Sequence, residues 1–151
     1  MPDQLAKLYL ENQLCFPLYA ASRLTTKIYT PYLNELDITY PQYLVMMVLW
    51  QHPEQSVNDI GHKLLLESNT LTPLLKRLEQ KKLIKRTRSH KDERSVLVSL
   101  TQEGLELREK AAVIPDQIMA SFQDESISPE EGIAFRETLK KLMGILREKS
   151  Q

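Results

Sequence analysis

The 151-residue chain predicts one mainly α-helical domain that carries a small two-stranded β wing. Three observations predict it. Apolar residues recur at helical spacing in segments opened by proline or by Ser/Thr caps. The stretch 83–100 reads instead as two β-leaning runs around a polar tip. Positive charge is concentrated where the last central helix meets that tip.

The first helix is expected over the region of Leu18 to Leu33, where Leu18, Ala21, Leu24, Ile28 and Tyr32 recur at helical spacing. Pro17 locates its start: a proline costs about 3 kcal/mol in a helix interior, but the first turn tolerates it because those N–H groups have no partner. The helix therefore begins near Leu14 to Phe16, with Cys15 in its first turn. Thr39 caps the second helix and Pro41 enters it; Tyr43 to Trp50 is mostly buried, and His52-Pro53 ends it. Ser56 caps a short third helix, Val57 to Leu64, with Val57, Ile60 and Leu64 inward.

Ser68-Asn69-Thr70 is a second cluster of capping residues, and a fourth helix follows to about Lys81. Its inner face is Leu71, Leu74, Leu75 and Leu78; Pro73 falls in its first turn or just past it. The opposite face carries Asn69, Thr70, Thr72, Lys76, Arg77 and Gln80. Leu83 to Thr87 and Ser95 to Leu100 lean toward strand, joined by Arg88-Ser89-His90-Lys91-Asp92-Glu93-Arg94. Thr101 caps a further helix in which Leu105, Leu107, Ala111 and Ile114 recur up to Pro115. Ser128-Pro129-Glu130-Glu131 is a capping box opening the last helix.

Composition narrows the class. Formal net charge is zero, yet Lys76 to Arg94 holds nine basic residues against three acidic ones, a net of +6 in nineteen residues. A local positive field on a neutral chain fits either a polyanion-binding patch or a solvated charged face. The N-terminus, Met1-Pro2-Asp3-Gln4, lacks the pattern of a signal peptide, and Tyr43 to Trp50 is too short to span a bilayer. With a single cysteine, a reducing cytoplasm is expected and no membrane. His52, His62 and His90 have no metal-ligand spacing, and no phosphate loop, nucleophile elbow or paired carboxylate stands out, so no metal, no cofactor and no catalytic site are expected. Cys15 cannot form an intramolecular disulfide; it is either packed or reactive.

Three helices followed by a wing is the winged helix-turn-helix order, about 39–101. Helices about 4–36 and 102–149 leave apolar stripes that suggest dimerisation. Over nearly its whole length the sequence resembles the MarR family of bacterial transcription regulators. Asp92-Glu93-Arg94 at the wing tip, Leu100-Thr101 closing the hairpin and Leu71 to Glu79 in the fourth helix carry that resemblance. Within the family it is similar to the OhrR organic-hydroperoxide sensors, through Gln13-Leu14-Cys15-Phe16, Tyr19, Tyr29 and Leu36 to Tyr43. The region Ile118 to Ser126, where some members hold a resolving cysteine, has none, as in the one-cysteine branch.

The resemblance implies that Cys15 is the peroxide-reactive thiol and that Tyr29 and Tyr40 of a partner subunit hydrogen-bond its sulfur. From their pattern alone, Tyr19, Tyr29 and Tyr40 are ordinary amphipathic residues. A thiolate attacks peroxide and a thiol hardly does; the free N–H groups of a first helical turn and two phenolic donors would stabilise the anion. Leu8, Phe16, Leu18 and Tyr43 are candidates for an apolar approach. For DNA, Ser68, Asn69, Thr70, Thr72, Lys76 and Arg77 would lie at base edges or phosphates of a major groove. Arg86, Arg88, Lys91 and Arg94 supply the wing, with Arg94 in the minor groove and Asp92 pairing its guanidinium.

Asn69 and Glu67 stand where many relatives have glycine and aspartate, so no operator sequence carries over. The implied protein is a homodimeric repressor on a pseudo-palindromic DNA operator. It would be induced by an organic hydroperoxide and capped by a small-molecule thiol in a mixed disulfide with Cys15. A broader redox-responsive or phenolic-ligand-responsive MarR regulator, and a thiol peroxidase, are the alternatives.

Overall fold

The computed structural model describes residues 3–122 and 126–151. Two 3₁₀ turns, Gln4–Leu8 and Leu10–Asn12, lead into α1 (Cys15–Glu35), α2 (Tyr40–Gln51), β1 (Glu54–Ser56), α3 (Val57–Leu64) and α4 (Ser68–Gln80). β2 (Ile84–Arg88), β3 (Val96–Leu100), α5 (Gln102–Ala111), α6 (Ile114–Ser121) and α7 (Pro129–Lys149) complete the chain. The helical class with its wing is as expected. The sheet is larger by one short strand: β1 pairs with the free edge of β3 through Glu54↔Ser99, Gln55↔Val98 and Ser56↔Leu97, giving the antiparallel order β1-β3-β2.

The elements start where their caps demand. Thr39 and Gln42 form a reciprocal capping box on α2, the hydroxyl accepting the Gln42 N–H and the Gln42 amide oxygen accepting the Thr39 N–H. Ser56 accepts the Asp59 N–H on α3, Thr101 the Gly104 N–H on α5, and Ser128 the Glu131 N–H on α7. Three expectations shift. α4 begins at Ser68 itself, with Glu67 in front of it making no side-chain cap, so Ser68 to Thr70 form its first turn. Pro73 therefore lies inside α4, as Pro31 lies inside α1, and each withholds one N–H from the helical ladder. Pro115 opens α6 where the sequence suggested a helix end.

Three helices end on residues held in the left-handed region, none of them glycine: Asp37 (φ 54°), Leu65 (φ 55°) and Lys82 (φ 63°). In each case the next residue's N–H returns to the last turn: Ile38 to the Leu33 carbonyl, Leu66 to Gly61, Leu83 to Leu78. This is the Schellman arrangement, which satisfies carbonyls the helix leaves open.

Contacts divide the chain into two compact units, Met1–Ile118 and Met119–Gln151. The first holds the core: Val45, Met46 and Leu49 of α2, Ile60 of α3, Leu71, Leu75 and Leu78 of α4, and Val98 of β3 are essentially inaccessible. Trp50 joins α5 to it by donating its Nε1–H to the Gly104 carbonyl at 2.9 Å. In the second unit α7 buries none of its residues, and Ile133, Phe135, Met143, Ile145 and Leu146 are about half exposed. The helices expected over 102–149 are present, apart from residues 123–125, which lie outside the described residues.

Two substitutions test the backbone account. A Cβ at Gly104 would sit 2.1 Å from the Leu83 carbonyl oxygen, a backbone atom that has no room to yield. Gly104→Ala should therefore destabilise the fold by about 2 kcal/mol or more in urea unfolding, the range of overpacked cores. Lys82→Gly should do the opposite and raise stability by about 1 kcal/mol, because the left-handed region costs a residue with a side chain roughly that much.

Candidate thiol site and nucleic-acid interface

Cys15 is the first residue of α1, and its thiol is exposed. Tyr19, one turn further along the same face, is exposed too, with the Arg23 guanidinium 4.8 Å above its ring. Tyr29 and Tyr40 lie elsewhere. Their rings are 4.9 Å apart, and Tyr43 is 5.9 Å from Tyr29 and 6.2 Å from Tyr40. Burial pushes all three phenols up from their ordinary values, so each keeps its O–H as a donor.

Tyr29 is fourteen residues beyond Cys15 on one continuous helix, which is about 21 Å along the axis. The expected thiol site is thus split within one chain, cysteine at one end of α1 and phenols at the other. The expected apolar approach is not assembled either: Leu8 is 77% exposed, whereas Tyr43 is buried in the core at 4%. Of α1's twenty-one residues only Leu33 is buried, and Leu14, Phe16, Leu18, Leu24 and Ile28 present apolar surface to solvent.

In the same unit, α4 turns Leu71, Leu75 and Leu78 inward. That leaves Ser68, Asn69, Thr70, Thr72, Lys76 and Arg77 exposed on one surface. Among the described residues their side chains make no hydrogen bond or ion pair, so their donors and cations are available. Lys91 and Arg94 at the wing tip are free in the same way.

The remaining wing residues are placed differently from expectation. Arg86 donates through Nη2 to the Glu79 carboxylate at 3.0 Å, and the Arg86 backbone N–H reaches the other oxygen at 2.9 Å. Among the described residues its Nε is buried with no hydrogen-bond partner. These bonds hold the Glu79 carboxyl below its ordinary value, the guanidinium contact being the larger cause. Arg86 therefore ties the wing to α4 through Nη2. Arg88 donates to the Glu93 carbonyl at 3.0 Å, bracing the hairpin. Asp92 does not pair the Arg94 guanidinium; its Oδ1 accepts the Arg94 backbone N–H at 3.0 Å and its carbonyl accepts the Ser95 N–H at 2.9 Å. The acid shapes the turn and leaves the Arg94 side chain unrestrained.

Glu79 is a wing-positioning residue that the sequence hides, because it sits inside a run of charge. Its signal there is an acid seven residues ahead of a basic strand residue. Among the described residues no group of three or more His, Cys, Asp or Glu could hold a metal, and no helix is long and apolar enough to cross a membrane.

Comparison with known proteins bears on this geometry. The family model for the transcriptional regulators SarA/Rot matches residues 27–111. The organic hydroperoxide resistance transcriptional regulator of Bacillus subtilis is 55% identical over 119 residues, 79% of this chain and 81% of that protein. The HTH-type transcriptional regulator SarZ of Staphylococcus haemolyticus is 40% identical over 123 residues, 82% of each chain. Reduced AbfR bound to DNA, a regulator from Staphylococcus epidermidis, superposes with a TM-score of 0.75 at 38% identity, covering 93% of this chain and 97% of its own. These relatives are regulators, not enzymes, and nothing among them supports a thiol peroxidase. The chain belongs to the SarA/Rot group of MarR-type winged-helix transcriptional regulators, alongside the organic-hydroperoxide resistance regulator.

Proposed function

We propose that this chain is a homodimeric, cytoplasmic repressor that holds a pseudo-palindromic operator while Cys15 is reduced and releases it when an organic hydroperoxide oxidises Cys15. The split thiol site carries the reading. With Cys15 and the Tyr29–Tyr40 pair about 21 Å apart along one rigid helix, only a second copy running in the opposite sense brings a cysteine to a pair of phenols. The same arrangement covers the bare apolar face of α1 twice over. A relative's name, organic hydroperoxide resistance regulator, supplies the class of oxidant.

The chemistry balances within the site. The Cys15 thiolate attacks the outer peroxide oxygen, the O–O bond breaks, and the alkoxide takes a proton and leaves as the alcohol. Sulfur is oxidised to the sulfenic acid and the peroxide is reduced. The partner's Tyr29 and Tyr40 donate hydrogen bonds to the thiolate, and Tyr19 lies one turn from it. A small thiol then attacks the sulfenic sulfur, water leaves, and a mixed disulfide remains. On DNA, Ser68, Asn69, Thr70, Thr72, Lys76 and Arg77 face a major groove, with Lys91 and Arg94 on the adjacent backbone and minor groove. Two-fold related heads meet half-sites about 34 Å apart.

Operator shift with and without cumene hydroperoxide tests this directly. Wild type should release DNA, and Cys15→Ser should bind as well as the reduced protein yet ignore the oxidant. Release by Cys15→Ser would remove Cys15 as the sensor. A mixed dimer tests the sharing of the site. Pairing a Cys15→Ser chain with a Tyr29→Phe/Tyr40→Phe chain rebuilds one complete site, so one thiol per dimer should react at the wild-type rate. The Tyr29→Phe/Tyr40→Phe homodimer should react more slowly.

The wing makes two separable predictions. Arg94→Ala should weaken operator binding and lower its salt slope by about one, while stability stays within about 0.5 kcal/mol. Arg86→Ala should instead lower the melting temperature, because it strands Glu79 and removes a half-buried side chain. A reduced salt slope at unchanged stability for Arg86→Ala would overturn the clamp.

A further inference from the structure

α1 and α4 end in the same way, and one side chain joins the two ends. At the end of α1, Ile38 and Asp37 return their N–H groups to the Leu33 and Asn34 carbonyls at 3.2 and 3.1 Å. At the end of α4, Leu83 and Lys82 return theirs to Leu78 and Glu79 at 3.1 and 2.9 Å. Lys81, the C-cap of α4, crosses from the second end to the first. Its Nζ donates to the Asp37 carbonyl and lies 3.5 Å from Gln42 Oε1 and 3.8 Å from the Asp37 carboxylate. The ammonium thus meets three acceptors at the negative end of the α1 dipole.

Gln42 makes this more than a surface contact. It is a buried polar residue, 1% exposed, and the oxygen that faces Lys81 also accepts the Thr39 N–H at 3.0 Å in the α2 capping box. Tyr40 sits inside that box, with its ring on Tyr29. A continuous line of bonded groups therefore runs from the Tyr40 side chain, through the first turn of α2, to the C-cap of α4. Among the described residues these Lys81 contacts are the polar link between the α1–α2 corner and α4. Apolar packing also joins them.

We propose that Lys81 is the positioning residue through which the state of the thiol site reaches the recognition helix. The inference rests on the functional reading above and adds its route. An oxygen added to the partner's Cys15 sulfur displaces Tyr40 and the capping box with it; Lys81 carries that displacement to one end of α4. The helix is thirteen residues long, about 20 Å, so a shift at its C-terminus redirects Ser68, Asn69 and Thr70 at the other end.

The test compares operator affinity before and after stoichiometric oxidation by cumene hydroperoxide in wild type, Lys81→Met and Lys81→Arg. Lys81→Met keeps the aliphatic stem and loses the donor. It should bind operator in the reduced state within about threefold of wild type and lose its thiol at the wild-type rate. Its ratio of reduced to oxidised affinity should fall about tenfold or more, and Lys81→Arg should keep most of that ratio. A ratio for Lys81→Met within about twofold of wild type overturns the proposal. So does a joint loss of reduced-state binding and thiol reactivity that arginine does not restore, which marks a merely structural role.

If Lys81→Met fails to fold, acylation of wild-type Lys81 by a lysine-selective ester decides. Its rate should change about threefold or more on oxidation while Lys63, held by Gln55 Oε1 at 2.7 Å, keeps its own. Equal rates at Lys81 overturn it. The wild-type arm separates the two failures: oxidised wild type that keeps its operator ends the functional reading and this one together, whereas release by wild type and mutant alike ends only the route through Lys81.

Discussion

α1 is held to its own chain at one end. Leu33 is buried, and Tyr29, Tyr32 and Leu36 pack against the core, while most residues toward Cys15 are exposed. The unsatisfied apolar face, the exposed thiol and the distance from thiol to phenols are consequences of this single attachment. Covering several half-exposed aliphatic side chains at about 25 cal/mol per Å² is a sizeable driving force for association. On the proposed reading, the chemistry and the assembly draw on the same helix. A monomer that buried α1 in its own core would keep neither an open thiol nor a reason to pair.

Much of this was legible because prolines and hydroxyl caps mark helix starts by local physics. Pro17 and Pro41 fit first turns, and Thr39, Ser56, Thr101 and Ser128 each accept the N–H three residues on. What escaped is tertiary. Glu54-Gln55-Ser56 has no strand propensity and extends only because β3 offers it a free edge. Pro31 and Pro73 stand within helices whose remaining bonds and packing outweigh a lost N–H. The left-handed residues Asp37, Leu65 and Lys82 carry no glycine to announce the turns they make.

The interface was legible as a charge pattern but not as a set of roles. Arg86 and Arg94 are the same residue type in the same basic run. Only the arrival of Glu79 beneath the wing makes the first a clamp and leaves the second free. Asp92 was assigned to a guanidinium by proximity in sequence, yet an acid two residues before a backbone N–H closes a turn with it more readily than it reaches around a long flexible side chain. The proposed thiol site was legible only through the resemblance, since Cys15 and the Tyr29–Tyr40 pair lie apart within one chain.

The energy the switch must move is small. A hundredfold loss of operator affinity is about 2.8 kcal/mol. Contacts with DNA need not be destroyed to reach it. Two heads that must meet half-sites about 34 Å apart lose affinity when their spacing or tilt drifts, even if each keeps its cations and its exposed hydroxyls and amide. The free side chains of α4 suit that mode, because Ser68, Asn69, Thr70 and Thr72 are short and reach only as far as the helix carries them. Long cations at the wing, such as Lys91 and Arg94, would tolerate drift and on the proposed reading supply affinity on either register. On the proposed reading, discrimination between the two redox states falls to the rigid helix, and the bonds that bear on it are those from Lys81 to the corner where Tyr40 begins α2.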